Sequence, residues 1–237
     1  MLNINHEQLF IFDIETVTGE SDYSELKPEL QELFEKKNAH LKPPETSIED
    51  WYKQRAGILA EFGKVVVISC GYLKKVGNRF QLKIKTYSGH NEHQLLEEFG
   101  TVLSNISKNG FFLCGHNIKE FDVPWLCRRM LINNIELPPC LDLYGKKPWE
   151  VSHVDTLDLW KFGDYKHYTS LNLLATVLGV PTPKDDIDGS MVGEVYWIND
   201  DLARIAKYCS KDVVAVANVI LRLKGEKLLD EADIELK

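Results

Sequence analysis

Apolar positions along the chain fall into two rhythms, and stretches of one alternate with stretches of the other. Residues 8–14, QLFIFDI, are a short apolar run ending in acid. That is the pattern of a buried strand presenting side chains at its C-terminal edge. Residues 64–73, KVVVISCGYL, are rich in Val and Ile and read as a second strand. Residues 79–87, RFQLKIKTY, alternate polar and apolar, so Phe80, Leu82 and Ile84 share one face. The Gly77-Asn78 turn makes this strand the second arm of a hairpin.

Helical spacing appears at 24–38 and 47–60, broken by Pro43-Pro44. These two stretches form a helical insertion over about 19–62, after the first strand, too short to bury a core of its own comfortably. The pattern then predicts a helix at 91–107, a strand at 111–115, a helix at 121–133 and a last strand at 151–155. Helices at 169–178, 189–196 and 199–223 complete the chain. The expectation is an α/β protein with a mixed central sheet flanked by helices, forming one domain over 1–237.

Composition narrows the class. The 44% hydrophobic and 27% charged content is that of a globular protein with a real core. No run nears the roughly 18 apolar residues needed to span a bilayer. The start, MLNINHEQLFIFDIET, lacks the pattern of a secretory leader, so a cytoplasmic protein without membrane contact is expected. Cys70, Cys114, Cys127, Cys140 and Cys209 are odd in number and none stand in C-x-x-C spacing. They read as buried free thiols, not as disulfides or zinc ligands. A net charge of −8 counts against a phosphate-bearing partner. The objection lapses if clustered carboxylates are filled by divalent cations.

Three short acidic motifs change the picture. Asp13 and Glu15 stand two apart at the end of the first strand, so both face one pocket while Ile14 turns to the core. Asp122 falls in the first turn of a helix, where the macrodipole favours an anion. The turn before it carries His116, Asn117 and Phe121. Tyr208 and Asp212 are four apart on the last helix and share a face near its apolar stripe. Each motif alone has a plain structural explanation. Together they converge only if the sheet edge meets the last helix, and such a cluster is self-repelling without cations. All-oxygen ligation suits Mg²⁺ or Mn²⁺. Asp155, after a strand, reads as a helix N-cap, His116 as a hydrogen-bonded core histidine and Lys184 as a surface residue. Asp185, Asp186, Asp188 and Glu194 read as a loop and a solvated helix start.

D-x-E, N-x-x-x-F-D and Y-x-x-x-D, in this order and spacing, resemble the DEDD superfamily of 3′→5′ exonucleases, with the tyrosine of its DEDDy branch. The chain resembles the proofreading domain of family B DNA polymerases, and in particular the stand-alone bacterial proteins predicted to be exonucleases of that type. EFGKVVVISCGYL, KPWEVSHVDTLDLW, SLNLLATVLG and PKDDIDGS extend the likeness over most of the chain. The resemblance implies a ribonuclease H-like fold and two divalent cations, Mg²⁺ or Mn²⁺, held by Asp13, Glu15, Asp122 and Asp212. It implies that Tyr208 orients the attacking water and that Asn117 and Phe121 lie near the substrate strand. The expected reaction is stepwise release of nucleoside 5′-monophosphates from single-stranded 3′ ends, DNA before RNA. RNA or oligoribonucleotide trimming is the alternative, and a silent nucleic-acid-binding module the remaining one.

Overall fold

The computed structural model describes residues 5–164, 166, 168–181 and 187–237. Lys184, Asp185 and Asp186 lie outside the described residues. Among the described residues six strands form one sheet: β1 (Leu9–Thr18), β2 (Gly63–Val76), β3 (Arg79–Ser88), β4 (Phe112–Gly115), β5 (Val154–Asp155) and β6 (Ile234–Leu236). Their order is β5-β4-β1-β2-β3-β6. β1, β2 and β3 pair antiparallel, whereas β4 joins β1, β5 joins β4 and β6 joins β3 in parallel. This is the mixed sheet that the interleaved rhythms predict.

Among the described residues eight α-helices accompany it: α1 (Pro28–Asn38), α2 (Ile48–Arg55), α3 (Glu92–Lys108), α4 (Asp122–Ile132), α5 (Thr156–Lys161), α6 (Leu171–Val177), α7 (Val192–Trp197) and α8 (Leu202–Leu223). β1 shows how they divide between the two faces. Phe10, Phe12 and Ile14 point to one side, where they join Leu96, Phe99 and Leu103 of α3 with Trp125 and Leu126 of α4. Leu9 and Ile11 point to the other, against Val213, Val216 and Ile220 of α8. The two-residue period of a strand thus builds two cores from one segment. α8 starts at Leu202, later than expected, because the Asp201 side chain caps it by accepting from Arg204 N.

Glu92, at the start of α3, ties three elements together. Its Oε1 accepts from Val65 N of β2 at 2.8 Å and from Arg129 Nε of α4 at 2.9 Å. Its Oε2 accepts from Arg129 Nη2 at 2.5 Å and Asn133 Nδ2 at 3.0 Å. A buried ion pair persists when its remaining hydrogen bonds are made in this way.

Three expectations need correction. β1 does not stop at its acids but runs on to Thr18, with an irregularity in the ladder between Glu15 and Thr16. Residues 154–155 are not the last strand, since β6 follows α8 and pairs with the edge of β3. The insertion does bury a core of its own: Tyr23, Leu26, Phe34, Tyr52, Ala56 and Phe62 form one cluster. Phe34 packs edge-on against both Tyr52 and Phe62. Aromatic side chains bury so much area each that a short segment suffices. The cluster is fastened to β1 by Thr16 Oγ1 donating to Gly57 O at 2.6 Å and by Gly19 N donating to Phe62 O at 2.7 Å.

Candidate active site

Asp13 and Glu15 lie on the α8 side of β1, since they continue the Leu9–Ile11 alternation. From α8, Ile205, Cys209, Val213 and Val216 make the inward stripe at three- and four-residue spacing. Tyr208 and Asp212 stand at its margin, half-buried, and the phenol hydrogen-bonds the carboxylate. Among the described residues, Asp13, Glu15 and Cys209 bring one potential ligand atom each within 4.8 Å of one another.

Asp122 arrives from the other face. It is 3% exposed, opens α4, and its Oδ1 accepts from Ile14 N at 3.2 Å. The backbone between two residues of the first motif thereby holds the acid of the second. The preceding turn is shaped for this approach. A Cβ on Gly115 would sit 2.1 Å from Ile118 Cγ2 and 2.9 Å from Phe12 O, so only glycine lets the turn close over β1. Asn117 takes the left-handed conformation (φ 62°), and its carbonyl accepts from Glu120 N and Phe121 N. Asp155 clamps the turn. Its Oδ1 accepts from Asn117 N at 2.8 Å and from Leu157 N, capping α5, while its Oδ2 accepts from Lys119 N at 3.1 Å.

The four acids act on one another electrostatically. Burial, then Asp212, Asp122 and Glu15, push the Asp13 carboxyl well above its ordinary range. Burial, then Asp212 and Asp122, do the same to Glu15. Burial raises Asp122 to about 7, against hydrogen bonds that hold it down. Burial and the Asp212, Glu15 and Asp13 carboxylates push the Tyr208 phenol far up. A self-repelling set of oxygens at the junction of three segments fits hard divalent cations, whose charge reverses each of these shifts. The amide oxygen of Asn117 is buried and has no hydrogen-bond partner among the described residues.

The remaining residues fall as follows. Phe121 is half-buried, packed against the α3–α4 core at the mouth of α4. His116 is held through its two ring nitrogens, to Thr156 Oγ1 and Thr169 O, both at 2.8 Å. Asp155 is an N-cap, as expected, and also the anchor of the Asn117 turn. Cys209 was not expected here. It is buried and free, but its Sγ lies 3.3 Å from Asp13 Oδ2. Its place three residues before Asp212 on one helix is the signal that marks it.

Residues 58–233 match the pattern of a protein family described as predicted 3′–5′ exonucleases related to the exonuclease domain of PolB. The chain belongs to this family. The match takes in Asp122, Tyr208 and Asp212, while Asp13 and Glu15 precede it on the strand that pairs with β2. Among solved structures, the family B DNA polymerase from the hyperthermophilic archaeon Pyrobaculum calidifontis is similar, with a TM-score of 0.50 at 17% identity. The likeness covers 90% of this chain and 24% of the polymerase. The mixed sheet with helices on both faces is accordingly a ribonuclease H-like fold. No curated protein matches the chain. No described helix is long and apolar enough to cross a membrane.

Proposed function

We propose that this protein hydrolyses the terminal phosphodiester of single-stranded nucleic acid from the 3′ end, DNA before RNA, releasing nucleoside 5′-monophosphates. The observation that carries the reading is the meeting of Asp13 and Glu15 on β1 with Asp122, bound by Ile14 N at the start of α4, and with Asp212 on α8, in a chain of the exonuclease family. These four carboxylates would hold two divalent cations, Mg²⁺ or Mn²⁺, with Asp13 shared. When bound, the cations activate the attacking water and neutralise charge on the phosphate and the leaving oxygen. The rest falls to the chain. Tyr208 stays protonated at neutral pH, because burial and its acidic neighbours disfavour the phenolate. It therefore orients the water through its hydroxyl oxygen and does not act as the base that removes its proton. The clamped turn presents the Asn117 amide to the substrate phosphate, and the Phe121 ring forms the wall beside it. Folded as one domain and working in the cytoplasm, the protein would meet free single-stranded ends.

A purely binding module has no use for four acids gathered in this way, whose repulsion costs stability and opposes phosphate. The test is degradation of 5′-labelled single-stranded DNA, matched duplex and single-stranded RNA with Mg²⁺ or Mn²⁺. Single-stranded DNA is expected to give a ladder shortened from the 3′ end. Chelation and Asp13→Ala should each abolish it, and the variant's far-UV circular dichroism should be unchanged. Internal cuts overturn the exonuclease reading, and faster loss of RNA assigns the alternative substrate.

A further inference from the structure

We propose that Cys209 is a positioning residue whose thiol, backed by Ser69 and Thr86, fixes the Asp13 carboxylate for cation binding. The proposal rests on the function inferred above. Positions that α8 turns toward the sheet are otherwise apolar here, namely Ile205, Val213, Val216 and Ile220. A thiol in that stripe could be mere filling. Its contacts show otherwise. Sγ lies 3.3 Å from Asp13 Oδ2 and 3.4 Å from Asp13 O, both within reach of its one proton. On its other side the Ser69 hydroxyl hydrogen-bonds the sulfur. Ser69 Oγ in turn lies 2.9 Å from Thr86 Oγ1.

The sheet register makes this row possible. Asp13 pairs with Ser69 across β1 and β2, and Ser69 pairs with Thr86 across β2 and β3. Residues directly opposite one another on antiparallel strands send their side chains to the same face. Asp13, Ser69 and Thr86 therefore form a line across three strands, and α8 lays Cys209 over its near end. Cys209 is 0% exposed and Ser69 0%, so water does not compete for these bonds. A buried polar row that is fully bonded holds its members in one arrangement.

The acids are held unequally, which tells what the row is for. Asp122 is anchored by Ile14 N, and Asp212 by Tyr208. Among the described residues, Cys209 is the donor to the Asp13 carboxylate. The acid proposed to serve both cations thus owes its orientation to a sulfur. Outer partners of cation ligands commonly set affinity by about 10- to 100-fold.

The experiment is Mn²⁺ binding without substrate, by isothermal titration calorimetry and Mn²⁺ electron paramagnetic resonance. It uses the whole chain as wild type, Cys209→Ala, Cys209→Ser and Ser69→Ala. Cys209→Ala is expected to weaken Mn²⁺ by about 10-fold or more. Cys209→Ser keeps a donor and should restore affinity to within about 3-fold of wild type. A packing role predicts the reverse order, because a buried serine hydroxyl fits an apolar stripe worse than alanine. Ser69→Ala, one step farther along the row, should weaken Mn²⁺ by a smaller factor, and it decides the matter if the Cys209 variants do not fold. Wild-type affinity in a folded Cys209→Ala or, failing that, in Ser69→Ala overturns the proposal and leaves the exonuclease reading standing. Absence of Mn²⁺ binding to wild type overturns both.

Discussion

His153 is 7% exposed, and its Nε2 is buried with no hydrogen-bond partner among the described residues. Burial, then the charges of Lys119 and Lys146, depress it to about 4. A histidine with a lowered folded-state value contributes stability that is present above its unfolded value near 6.5. That stability is lost as pH falls from 6.5 through 4. The full shift corresponds to about 3 kcal/mol. Urea unfolding at stepped pH should therefore show wild type losing stability relative to His153→Gln between pH 6.5 and 4, with no divergence above pH 7. Parallel curves would mean that the ring is not held neutral. Legibility at this scale follows geometry. Asp13 with Glu15, and Tyr208 with Asp212, are readable because strand and helix periods fix which side chains are neighbours. Cys209 is not readable as an Asp13 partner, because their contact joins residues brought together only by the fold.

The Glu92–Arg129 pair belongs to the elements it joins, α3 and α4, with β2 as the third party. Glu92→Ala leaves a buried guanidinium and the Val65 amide without their acceptor. The expected loss is about 3–5 kcal/mol in chemical denaturation, since breaking a buried pair strands its partner. Replacing Glu92 and Arg129 together by apolar residues should cost much less, and equal costs would count against this reading. Most elements are visible in the chain's rhythms within a few residues, because α3, α4 and α8 each bury one long stripe. β6 is not visible: three residues are too few to show alternation, and its pairing depends on β3 being an open edge.

At the scale of the molecule, the insertion and the sheet make one connected body through the bonds at Thr16 and Gly19. Phe34→Ala empties the centre of the insertion's aromatic cluster, where Phe34 is 0% exposed. The expected cost is about 3–5 kcal/mol. Calorimetry should show it as a lowered single transition, and a separate low-temperature transition would show that the insertion melts alone. The alternation of strand and helix suffices for the architecture. It misses the insertion's core because four rings spread over 40 residues carry no period.

The ladder irregularity after Glu15 lies between the part of β1 that bears the acids and the part that carries the insertion. The pairing passes from Glu15–Val67 to Thr16–Val65, so Val66 is taken up there and the ladder shifts by one residue. Asp13 and Glu15 keep their spacing and their face on one side of this joint. A change of length in the insertion would then act on a stretch of β1 already out of register with the stretch that bears the acids.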